Sequence, residues 1–88
     1  MKTPLDLSRP CLYDQLAEEA TELAQAAIKM ARIMRGENPS PVTQSFAEKC
    51  VIEEYNDVIN AAKILKIPMD DDLQREKMRR WVDRLNET

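Results

Sequence analysis

Four carboxylates in this chain stand in two pairs of equal spacing, Glu19 with Glu22 and Glu54 with Asp57. Residues three apart are neighbours on one face of a helix. At about 100° per residue, Glu19 falls inside an apolar arc made by Leu12, Leu16, Leu23, Met30 and Met34. Glu22 lies at the edge of that arc, beside Ala26 and Ile33. In the second segment Glu54 falls near the middle of an arc of Ala47, Val51, Val58, Ala61, Ala62 and Leu65. Asp57 is one turn on, among Cys50, Ala61 and Ile64. Their sequence neighbours Glu18 and Glu53 point the other way, onto the polar faces.

Acids on an inward face must be neutralised, because an unpaired buried charge costs several kcal/mol. Protonation, a basic partner or a metal ion each does this, and Lys29 and Lys63 are the basic partners within reach of the pattern. If the two pairs meet across a helix contact, four carboxylates converge in one place. All-oxygen ligation suits hard cations such as Mg²⁺ or Mn²⁺, and inward carboxylates on facing helices are a known way to build such a site. The bland alternative is four solvated charges on helices of another register. A zinc site of the usual kind is excluded, because the chain has no histidine and its two cysteines, Cys11 and Cys50, form no CxxC pair.

The elements that must position these acids are helices. Residues 1–9 read as an irregular arm, with Ser8 as a helix N-cap and Pro10 in the first turn. From there to Arg35 the residues are strong helix formers without a breaker. Gly36-Glu37-Asn38-Pro39-Ser40-Pro41 reads as a loop, with Gly36 in a C-cap position. A second helix is expected over about 42–66, stopped by Pro68, and a third over about 71–86, with Asp70, Asp71 and Asp72 as candidate caps. The expected fold is all-α, a single domain over 1–88. Two long antiparallel helices and a shorter C-terminal one leave apolar stripes that oligomerisation would cover to complete a helical bundle.

With these motifs in hand the chain resembles a family. Glu18-Glu19-Ala20-Thr21-Glu22-Leu23 looks like the EExxEL segment of MazG-like nucleoside triphosphate pyrophosphohydrolases, and Glu53-Glu54-Tyr55-Asn56-Asp57-Val58 like their EExxDV segment. LAQAAIKMARIMRG followed by a proline-bearing loop, and the terminal KMRRWVDRL, are similar to short single-domain phage and bacterial members. The likeness covers about residues 12–86. It departs in the gap from Glu22 to Glu54, 31 residues and long for the pattern.

The resemblance implies hydrolysis of a (d)NTP to the monophosphate and pyrophosphate, with Glu19, Glu22, Glu54 and Asp57 as catalytic metal ligands for Mg²⁺, or Mn²⁺. It also implies assembly into a homodimer or homotetramer. Glu22 is a candidate base. Substrate contacts are expected from Lys29, Asn60, Lys77 and Arg80, although Asn60 lies off the apolar face and the basic residues can instead pair with acids such as Asp83. Trp81, the sole tryptophan, suits helix packing or a subunit contact better than base stacking. Two other functions fit the same helices: a non-catalytic interaction module, and a dUTPase-like specialist of the same superfamily.

Composition agrees with a globular helical domain: 43% hydrophobic, 33% charged and a single glycine. A net charge of −3 argues against nucleic acid as a partner. No apolar run spans a membrane and the N-terminal residues lack a signal-peptide core, so a cytoplasmic protein is expected.

Overall fold

The computed structural model describes residues 1–37 and 42–87. Asn38, Pro39, Ser40 and Pro41 of the expected loop lie outside the described residues. The described residues form helices and no strand. α1 spans Arg9–Arg35, α2 Gln44–Ile64 and α3 Asp71–Leu85.

Each helix starts where a short polar side chain supplies the missing acceptor. Ser8 accepts from the Cys11 N–H, Thr43 from Phe46 and Asp70 from Leu73. Two boundaries differ from expectation. The arm is not wholly irregular, because Pro4–Asp6 form a 3₁₀ turn closed by a reciprocal Thr3–Asp6 capping box. α2 is also shorter at both ends. It begins at Gln44, after the Thr43 cap, rather than at Val42, and it ends at Ile64 rather than Lys66, which has left the helix with φ 58°. The Ile67 N–H then bonds the Ala62 carbonyl, a closure that normally uses glycine. Gly36 closes α1 in the same left-handed region, φ 69°.

α1 packs against α2. They run antiparallel: Leu12 near the start of α1 shares a cavity wall with Ala61 and Ile64 near the end of α2, and Glu19 lies beside Glu54 further along. The buried core is small. Leu12, Ala61 and Leu65 occupy one end of the helix contact, and Ala47 is buried near the start of α2. Met34, expected on the inner face, is exposed at the end of α1. α3 buries none of its residues. The molecule is a slab with extents of 45 × 38 × 18 Å and a radius of gyration of 16.7 Å, against about 12 Å for a compact chain of this length. None of the helices among the described residues is long and apolar enough to cross a membrane.

Two substitutions test this account. Among the described residues Leu65 is the only large side chain that is fully buried, so Leu65→Ala should lower stability by about 2–5 kcal/mol in urea unfolding followed by circular dichroism. Lys66→Gly should instead raise it, by up to about 1 kcal/mol, by relieving a left-handed backbone that a side chain disfavours.

Candidate metal centre

The i, i+3 spacing and the antiparallel packing together bring carboxylates of α1 and α2 face to face. One oxygen each from Glu19, Glu22 and Glu54 lie within 4.8 Å of one another. The helical wheel separates Glu19 and Glu54 from Glu18 and Glu53 as expected, but Glu22 and Asp57, also expected on the inward faces, are exposed. Glu19 and Glu54 are half-buried, while Glu22, Glu18 and Glu53 are exposed. Asp57 is exposed as well and stands outside the trio. It faces a cavity of about 280 Å³ that also touches Glu19 and is walled by Leu7, Leu12 and Ile64. Three of the four expected acids thus converge, and the fourth sits next door.

The electrostatics are unrelieved. The Oε2 atoms of Glu19 and Glu54 are out of solvent and accept no hydrogen bond. Glu19 Oε1 accepts from Gln15 Nε2 at 2.6 Å, one helical turn earlier. Among the described residues no lysine or arginine pairs with any of the four acids. Lys29, expected nearby, lies with Gln25, Ile28 and Arg32 along a separate shallow groove. Glu22 registers the crowding. The negative charge of Glu19, then desolvation and the charge of Glu54, push its carboxyl above the ordinary range.

Asn60 is placed better than its wheel position suggested. It lines the cavity together with Glu19 and Asp57. Gln15 and the arm residues Pro4 and Leu7 share that cavity and were not singled out from sequence. Gln15 had one signal, its place four residues before Glu19; the arm had none. Lys77 and Arg80 lie along α3, in a groove with Leu73, Trp81 and Arg84 that does not include the acids. Arg80 is paired to Glu76 at 3.3 Å, and Arg79 bridges Glu76 and Asp83 at 2.7 and 2.8 Å.

The donor set suits a hard divalent cation. It consists of carboxylate oxygens only, two of them shielded and lacking any donor, which a proton or a cation would satisfy. Compared with known proteins, the chain matches no family model, no curated protein and no solved structure.

The crowding predicts a pH effect in the metal-free protein. Glu22 takes up its proton more readily folded than unfolded, so its charge opposes folding above the raised value. That penalty is relieved as pH falls through the raised value and is gone below the unfolded value of about 4.3. Glu22→Gln should therefore raise the thermal midpoint at pH 7 with chelator present. The gain should shrink to nothing near pH 4; a constant gain at all pH would show that repulsion is not the cause.

Proposed function

We propose that this chain is a divalent-metal-dependent nucleoside triphosphate pyrophosphohydrolase. The observation that carries the reading is the convergence of the Glu19, Glu22 and Glu54 carboxylates to within 4.8 Å, with one shielded, donorless oxygen on each of Glu19 and Glu54. The two acid motifs in order, with their resemblance to MazG-like enzymes, supply the reaction. Glu19, Glu22 and Glu54 would hold Mg²⁺ or Mn²⁺, and Asp57, one turn from Glu54, would join them with a change of side-chain rotamer. When bound, the ion supplies charge neutralisation on the phosphates and a more acidic water.

The protein's own groups do the rest. Gln15 holds the Glu19 carboxylate in orientation through its 2.6 Å hydrogen bond. Glu22, the exposed member of the trio, would accept the proton of the water that attacks the α-phosphorus. The bond to the bridging oxygen breaks, giving the monophosphate and pyrophosphate. The adjoining cavity, with Asn60 and Asp57 on its wall, receives the nucleoside end. In this reading the active form is a cytoplasmic homo-oligomer, since the slab leaves most of its apolar side chains uncovered.

A non-catalytic interaction module is the second reading, favoured by that same uncovered surface. Pyrophosphate release from a panel of nucleoside triphosphates, with and without Mg²⁺, separates the two. A sharp preference for deoxyuridine triphosphate would mark the dUTPase-like specialist. Glu19→Gln or Glu54→Gln should lower the rate at least about a hundredfold, roughly 2.7 kcal/mol of barrier, whereas Glu18→Gln and Glu53→Gln should cost little. Equal losses from all four would refute the facing of the acids, and no release from any nucleotide would refute the enzyme.

A further inference from the structure

The charges of α3 are unevenly used. Arg79 and Arg80 are paired to Glu76, Arg79 also to Asp83, and Arg75 to Asp72, all within the helix. Lys77 and Arg84 enter no ion pair among the described residues. At about 100° per residue both fall between Leu73 and Trp81, on the rim of an arc that continues through Met78, Leu85 and Val82. All five of those apolar side chains are exposed, Trp81 to 54%. One side of α3 is therefore neutral and self-satisfied, and the other is apolar with two unpaired cations. The edge of the α1–α2 pair is the opposite case: Glu19, Glu22 and Glu54 converge there, with Asp57 on the adjoining cavity, and none has a basic partner among the described residues.

The surface area says that something covers these faces. The accessible surface is 7420 Å², whereas a compact 10.2 kDa monomer exposes about 5,300 Å². The excess, about 2,100 Å² per chain, is what each partner of an obligate homodimer buries. A slab 18 Å thick is also short of the two packed layers a domain needs.

We propose that the apolar arc of α3 docks on the acid-bearing edge of the α1–α2 pair of a second copy of this chain, bringing Lys77 and Arg84 to the partner's carboxylates. The exchange buries the exposed arcs of both copies and gives each acid edge the cations its own chain does not supply. It also places α3 of one copy over the candidate site of the other. The proposal does not depend on the reaction proposed for that site.

Sedimentation equilibrium on the full chain, with chelator and without nucleotide, tests it. At micromolar concentration and low salt the wild type should be a dimer or larger, with Trp81 emission shifting to the blue as it assembles. Trp81→Asp with Leu85→Asp should weaken association at least about tenfold while circular dichroism keeps its helical signal. Lys77→Glu with Arg84→Glu should do the same at low salt, and the difference from wild type should fade towards 1 M salt, where screening lengths are about 3 Å. Adding Glu22→Lys to that charge-reversed pair should restore association. A wild-type monomer, an assembly indifferent to the α3 substitutions, or failure of Glu22→Lys to restore it would each overturn the proposal. Pyrophosphate release is not part of this readout, so failure here leaves the enzyme reading standing.

Discussion

The carboxylates of Glu19 and Glu54 converge across the contact between α1 and α2 to within 4.8 Å, and each has one shielded oxygen that accepts no hydrogen bond. Left as charges they repel, and the helices would move apart. They are held by what flanks them. Leu12, Ala61 and Leu65 pack at one end of the contact and Ala47 is buried near the start of α2, so apolar burial pins the register that sets the acids opposite each other. Stability and site are therefore coupled. The same packing that holds the fold keeps the acids at a distance only a proton or a cation makes comfortable, and anything that binds them adds its binding free energy to folding.

The second constraint is scarcity of core. The four buried hydrophobic residues among those described cannot offset the conformational entropy of ordering a chain this long, which runs to about 1–2 kcal/mol per residue for the backbone alone. Good caps and a helix-rich composition reduce the deficit without closing it. The second layer proposed above would close it, with the exposed arc of α3 as one of the surfaces it covers. On this view the open acid edge and the uncovered α3 have one origin, a layer of helices that is half of a packed unit.

The inward acids were legible in the sequence because a helix imposes its own period. Glu19 and Glu54 sit among Leu16, Leu23, Val51 and Val58 on a wheel, and both are half-buried, while Glu18 and Glu53 are exposed. Ser8, Gly36 and Asp70 were legible for a similar reason, since capping is a contact over three or four residues. Lys66 was not. A left-handed residue at the end of α2 follows from hydrogen bonds to Ala62 and Lys63, and nothing in the side chain of lysine announces it.

What the sequence by itself determined is therefore the periodic part: three helices, most of the inner arcs of the two long ones, and which acid of each adjacent Glu-Glu pair turns inward. Tertiary structure alone decided which acids meet. Glu22 joins Glu19 and Glu54 while Asp57 turns to the cavity with Asn60, because the offset between two antiparallel helices is set by packing at their ends and not by either helix alone. It also decided that Lys29, Lys77 and Arg80 stand apart from the four acids of the candidate site. Helical periodicity orders residues about one axis; the distance between axes belongs to the chain as a whole.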